Sequence, residues 1–181
     1  GAVKKGMTVL EIGANIGFFT LLFSKLAGES GKVFAFEPDP DNIVRLKRNL
    51  EKFRNRYILK EAAVDEVGGV KPFGIDPFGR YGGLHRKTGK YIDVQSYGIN
   101  EILADILAGT EKIDIFKIDV EGDEIEILKA IDKKFLERME IIYLEIDHAI
   151  NLSPDFSFHP DIFRSERYGE TLKLINKNLN T

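Results

Sequence analysis

The sequence predicts an α/β fold in which helices cover both faces of a mostly parallel sheet. Three stretches carry that expectation. The first, Thr8 to Gly28, reads as strand, small-residue turn, helix. The second, Val33-Phe34-Ala35-Phe36-Glu37, is a continuous apolar run ending in an acid, as expected of a strand buried on both faces. The third is a similar run, Ile113-Asp114-Ile115-Phe116-Lys117-Ile118, and it leads into the acidic turn Asp119 to Glu124. Strands that alternate with helical patterns mark βαβ units and a parallel sheet.

At 181 residues the chain is long enough for one domain with a real core, expected to span residues 1–181. A hydrophobic content of 43% makes disorder an unsuitable default. The net charge of -3 is too near neutral for electrostatic nucleic-acid binding over the whole surface. No basic stripe carries interleaved aromatics, so no nucleic-acid partner is expected. Without cysteine there is no disulfide framework, thiol nucleophile or Cys-based zinc site. No apolar run approaches the ~18 residues needed to span a bilayer, and no secretory signal pattern is visible. The expectation is a cytoplasmic protein with no membrane partner. The chain opens Gly1-Ala2-Val3 rather than on Met, which is compatible with a piece of a longer protein whose targeting segments lie upstream.

In the first unit, Thr8 to Ile12 is the strand and Gly13, Ala14 and Gly17 supply the turn. Asn15 is a good helix N-cap. Phe19, Leu22, Phe23 and Leu26 follow the spacing of one helix face, and Gly28 is placed to end the helix. Small side chains let a ligand approach the backbone, and unpaired N–H groups at a helix start favour an anionic group. Dinucleotide folds use Gly-x-Gly-x-x-Gly. Here the second glycine is absent, and Glu11 adds a carboxylate that repels a pyrophosphate and suits a cation. A ligand with positive charge as well as a carboxylate fits, and S-adenosylmethionine has both. The alternative is a structural turn with no ligand.

Glu37 falls about 20 residues beyond the glycine turn, where the second strand of a βαβ unit returns beside the first. A carboxylate there can accept hydrogen bonds from both hydroxyls of a ribose. The plainer role is a helix-start charge, since Asp39 caps the next helix and Pro40 suits its first position. Ile43, Leu46, Leu50 and Phe53 mark that helix's buried face, and the basic residues from Arg45 to Arg56 its solvated one. Tyr57 to Val64 reads as a third strand. Its end, Glu61-Ala62-Ala63-Val64, is small enough to admit an adenine ring.

From Asp65 to Gly98 glycines and prolines break the text. Short strands are expected at Val70–Phe73 and Tyr91–Gln95 within a loop or lid. Phe78, Arg80, Tyr81, His85 and Arg86 are its candidates for substrate contact, against a hairpin with no role in binding. Ile99, Ile102, Leu103 and Ile106 define a helix. In the third stretch, the period of two puts Lys117, Asp119 and Glu121 on one face. Ile125, Leu128 and Ile131 mark the next helix, and Ile141 to Ile146 another strand, followed by Asp147 and His148. Acids thus gather at the strand tips, on the crevice side of an open parallel sheet. Tyr168, Leu172, Ile175 and Leu179 share a helical face, so His159 to Asn180 reads as a C-terminal helix.

Val9-Leu-Glu-Ile-Gly-Ala-Asn-Ile-Gly-Phe18, Val33-Phe-Ala-Phe-Glu-Pro-Asp39 and Lys117-Ile-Asp-Val-Glu-Gly122 resemble the FkbM family of S-adenosylmethionine-dependent methyltransferases. The resemblance implies the class I Rossmann-like fold, a three-layer α/β/α sandwich, and methyl transfer to a hydroxyl of a sugar or other small molecule. It implicates Glu11, Gly13, Ala14, Asn15, Gly17 and Phe18 around the methionine part of the cofactor. Glu37 and Pro38 fall at the ribose, Ala62 and Ala63 at the adenine, and Asp119 near the sulfonium. Such folds usually finish with an antiparallel pair of strands, so a C-terminal helix means that those strands are missing or replaced.

An alcohol nucleophile benefits from a base that removes its proton. Asp119, Asp147 and His148 are the candidates, His148 because imidazole titrates near neutrality. Two other readings stand beside this one. Asp119 and Asp147 could hold Mg²⁺ in a metal-assisted O-methylation. A module that binds the cofactor without catalysis is the other.

Overall fold

The computed structural model describes residues 3–76, 82–146 and 156–179. A seven-stranded sheet forms the middle layer. It consists of β1 (Thr8–Ile12), β2 (Lys32–Phe36), β3 (Ile58–Lys60), β7 (Ile113–Ile118), β8 (Met139–Glu145), β9 (Phe163–Tyr168) and β10 (Thr171–Asn176). The spatial order is β3-β2-β1-β7-β8-β10-β9. Strand β10 runs antiparallel to both of its neighbours, and the remaining pairs are parallel. From β1 the chain winds out through β2 to β3, then returns to add β7 and β8 on the other side. The reversal leaves a crevice outside the carboxyl ends of β1 and β7, the usual ligand position in open α/β sheets.

Apolar side chains on the two sheet faces fix the outer layers. Leu10, Ile12, Phe116 and Ile118 pack against α3 (Ile99–Ala108), α4 (Glu124–Ala130) and α5 (Lys133–Leu136). Val9, Val33, Ala35 and Ile115 face α1 (Phe18–Ala27) and α2 (Pro40–Asn49) on the opposite side. The expected three-layer sandwich is therefore present.

Helix α1 corrects two expectations. Gly17, in the left-handed region at φ 84°, is its N-cap rather than Asn15, which has φ 50° and accepts from the Ile16 N–H. Positive φ values at Gly13, Asn15 and Gly17 go with a helix start two residues later than expected. The helix turns Thr20, Phe23, Ser24 and Ala27 inward, and leaves much of Phe19, Leu22 and Leu26 open. Small residues are needed there because the helix lies close on β1 and β2. The other caps agree with the sequence reading. Gly28 ends α1 at φ 69°, and the Asp39 carboxylate accepts from the Asp41 and Asn42 N–H groups with Pro40 opening α2.

The predicted third strand splits. β3 stays in the main sheet, and after Glu61-Ala62 the chain enters β4 (Ala63–Asp65) of a second sheet. That sheet has the order β4-β6-β5, with β5 (Gly69–Gly74) and β6 (Tyr91–Gly98) antiparallel. The short strands expected at Val70–Phe73 and Tyr91–Gln95 are β5 and β6, and together with β4 they form a small sheet within the glycine-rich excursion.

The expected C-terminal helix is a β-hairpin. β9 and β10 are joined by the two residues Gly169 and Glu170, with Gly169 at φ 60°. Leu172 and Leu174 face one side of β10 and are buried. The spacing of Tyr168, Leu172 and Ile175 mimicked a helix by coincidence, because Tyr168 is 65% exposed at the turn. The antiparallel strands thought missing are therefore in place. Among the described residues, no helix is long and apolar enough to cross a membrane.

Candidate active site

The turn after β1 is held from two sides. The Gly13 and Ala14 N–H groups both donate to the Phe36 carbonyl, and the Asp119 N–H donates to the Ile12 carbonyl at 3.0 Å. The tips of β1, β2 and β7 are thereby drawn together. In front of them lies a cleft that opens to solvent. Gly13, Asn15, Glu37 and Pro38 line it from the first two units, with Ala62 and Ala63 at one end and Asp119 at the other.

Four residues assigned to the cofactor by resemblance do not line this cleft. Glu11 faces the α1 side of the sheet, where the Thr20 hydroxyl donates to it at 2.6 Å. Its Cα pairs with that of Lys117 across β1 and β7. Burial pushes its carboxyl up to about 7, and the Lys117 ammonium only partly opposes that. Ala14 is packed between α2 and β2. A Cβ on Gly17 would meet Leu50 at 2.5 Å and Leu46 at 2.8 Å, so this glycine serves close packing on α2. The Phe18 ring is 70% exposed and stands away from the cleft. Gly13 also answers to packing, since its Cβ would lie 1.6 Å from the Asp119 carbonyl oxygen.

Glu37 is 4% exposed yet reaches the cleft wall. Its Oε2 accepts from the Asn15 N–H at 2.7 Å, and Oε1 accepts from the Asp39 N–H at 3.0 Å. Burial raises this carboxyl to about 7 against the pull of those donors. Each oxygen has further lone-pair capacity, so a pair of ligand hydroxyls can bond to it.

The acidic turn after β7 does not continue the strand's alternation. Lys117 faces α1, and its Nζ lies 2.6 Å from Asp119 Oδ2. Glu121 has φ 64° and Gly122 φ 129°, so the backbone reverses there. Glu124, almost fully buried, accepts from the Val120 and Gly122 N–H groups and holds that reversal. Burial raises its carboxyl as well.

The small sheet supplies the rest of the cleft, a part that sequence reasoning missed. Phe73 from β5 and Leu84 from the following loop line its apolar wall. Phe73 in the run Val70–Phe73 was the available signal, but no local pattern says that this face meets the main sheet. His85 Nδ1 lies 2.9 Å from Asp123 Oδ1, and Arg86 lies 3.5 Å from Glu121. Those pairs tie the excursion to the acidic turn. Phe78, Arg80 and Tyr81 fall outside the described residues, as do the candidate bases Asp147 and His148. Among the described residues, no group of three or more His, Asp or Glu side chains could hold a metal ion.

Comparison with solved structures supports the topology. The chain superimposes with a TM-score of 0.57 and 15% identity on a provisionally named rRNA methylase from Clostridium thermocellum, covering 96% of this chain and 88% of that one. A provisionally named methyltransferase from Streptococcus mutans, solved with SAH, gives 0.53 and 16% over 97% and 91%. The fold is the class I Rossmann-like methyltransferase fold. The family described as Methyltransferase FkbM domain matches residues 11–170, and the chain belongs to it. Among curated relatives, the hexuronic acid methyltransferase AglP of Haloferax volcanii is 28% identical, over 78% of this chain and 56% of its own length. Methyltransferase sdnD of Sordaria araneosa is 27% identical, over 81% and 68%. The chain therefore spans little more than half of the first of these relatives.

Proposed function

We propose that this chain is an S-adenosylmethionine-dependent methyltransferase that methylates a hydroxyl of a sugar or similar small molecule. The observation that carries the reading is Glu37, a buried carboxylate that is braced by two backbone N–H groups and opens on the switch-point cleft. Family membership and the name of AglP support methyl transfer and a sugar acceptor.

The residues present fit this cofactor. Glu37 would accept from the ribose hydroxyls. Ala62 and Ala63 line the cleft together with the apolar Phe73 and Leu84, an apolar surface suited to the face of a flat base. Asp119 lines the same cleft, with one oxygen held by the Lys117 ammonium. When bound, the cofactor provides the electrophilic methyl group. The protein's own part is to hold the acceptor in line, exclude water and receive a proton.

Calorimetry with S-adenosylhomocysteine tests the proposal. The wild-type chain, stripped of co-purified ligand, should bind one equivalent. Glu37→Gln should weaken that binding by about tenfold or more, the loss expected when a charged acceptor becomes a neutral one. No uptake by folded wild-type protein would overturn the reading.

A further inference from the structure

Loop 82–86, between β5 and β6, is anchored on two sides. On one side it pairs with the end of β5. The Gly74 N–H donates to the Gly83 carbonyl at 2.9 Å, and the Gly83 N–H donates back to the Gly74 carbonyl at 3.1 Å. Gly82 lies close on Phe73, since a Cβ there would come within 2.9 Å of the ring. On the other side the loop reaches the acidic turn after β7. His85 meets Asp123 there at 2.9 Å, and Arg86 meets Glu121 at 3.5 Å. Both of those carboxylates line the cleft.

Leu84 stands between the two anchors. It lines the cleft and packs against the small cluster of Ala63, Phe73 and Val94. The acidic turn is the fixed end of the arrangement, because Glu124 accepts from the Val120 and Gly122 N–H groups beneath it. A carboxylate only accepts, so His85 Nδ1 carries the proton of its contact with Asp123. Pairs that are partly open to water are individually weak and are screened by salt. Here two of them, on consecutive residues, bear on the one side chain that precedes them.

We propose that loop 82–86 is a clasp on the cofactor cleft. Leu84 bears on the base of the bound nucleoside, and the His85–Asp123 and Arg86–Glu121 contacts are the positioning pairs that hold it there. The proposal rests on the reading that the cleft takes S-adenosylmethionine. Ala62, Ala63, Phe73 and Leu84 make up the apolar surface of the cleft, so a flat base resting on that surface meets Leu84. With both pairs made, the loop spans from β5 to the acidic turn and Leu84 is fixed. With both broken, the Gly74–Gly83 pairing still ties the loop to β5, but nothing in the two pairs ties it to the turn. The pairs then set how long a nucleoside stays, and through that the rate at which spent cofactor leaves.

The test uses the whole chain, with S-adenosylhomocysteine and adenosine as probes. Adenosine is uncharged, so an effect of salt on its binding arises within the protein. His85→Ala and Arg86→Met should each speed release of S-adenosylhomocysteine about threefold in stopped-flow, and together about tenfold. The single variants keep the test in force if the double variant does not fold. Arg86→Lys retains the charge and should stay within about twofold of the wild type. A rise in salt from about 0.05 M to about 0.5 M should weaken adenosine binding about threefold in the wild type and leave the double variant unchanged. Leu84→Ala should cost about tenfold in adenosine affinity. Removing both pairs from that variant should cost less than about twofold more, since groups that act through one side chain are not additive. Wild-type affinity and release in the variants that lack the pairs overturn the proposal. Additive losses with Leu84→Ala overturn it as well, because the pairs then act without Leu84. Failure of folded wild-type chain to bind either probe overturns the cofactor reading itself, so the two failures are told apart.

Discussion

Gly13 has no room for a side chain. It lies at φ 82°, and an added Cβ would fall inside the Asp119 carbonyl. The glycine was visible in the sequence as a turn that lets a ligand come close. Its packing partner was not visible, because Asp119 is far along the chain. Gly13→Ala should cost about 3 kcal/mol or more, through overpacking and a backbone conformation that alanine resists. Denaturant unfolding measures it, and a loss under ~1 kcal/mol would mean that the β1 and β7 tips can separate. Glu37 and Glu11 show the same division. Both were legible as acids at or near strand tips. The structure sends Glu37 to the cleft and Glu11 to Thr20 and Lys117, because β1 ends one residue beyond Glu11 and the pleat directs it to the α1 face.

At the scale of elements, buried strands and capped helices were the legible ones. The runs at β2, β7 and β8 are mostly apolar, and β7 is buried along its whole length although Asp114 and Lys117 interrupt it. The C-terminal hairpin was misread because period-two and helical patterns overlap when apolar residues crowd together. Gly169 between alternating runs was the signal to weigh more heavily. Leu174 separates the two assignments. It is fully buried in β10, whereas it lies off the helical face through Leu172 and Ile175. Leu174→Ala should cost about 2–5 kcal/mol, the usual range for a core leucine. Urea unfolding that moves by less than ~0.5 kcal/mol would favour a surface helix.

For the whole molecule, two buried carboxyls, Glu11 and Glu37, set a pH dependence. Each is raised from 4.5 to about 7 by burial. Between those values the folded chain holds protons that the unfolded chain has released. Unfolding free energy therefore falls as pH rises from about 4.5 to about 7, by on the order of 3 kcal/mol for each group. Glu11→Gln keeps an acceptor for Thr20 and removes one of the two contributions. It should stabilise the chain above pH 7 and flatten the profile, as read by denaturant midpoints between about pH 5 and pH 8. Identical slopes for wild type and variant would place the dependence elsewhere.

What the sequence determined by itself was the succession of strands and helices in the first two units, the buried β7 and the acids gathered at the strand tips. Local periodicity and the caps at Asp39 and Gly28 are enough for that, because they act between near neighbours. Tertiary structure alone decided that Phe73 and Leu84 wall the cleft, that Glu11 turns away from it, and that Lys117 joins Asp119. Those meetings depend on which strands lie side by side and in what register. They involve residues far apart in the chain, and no local period encodes them.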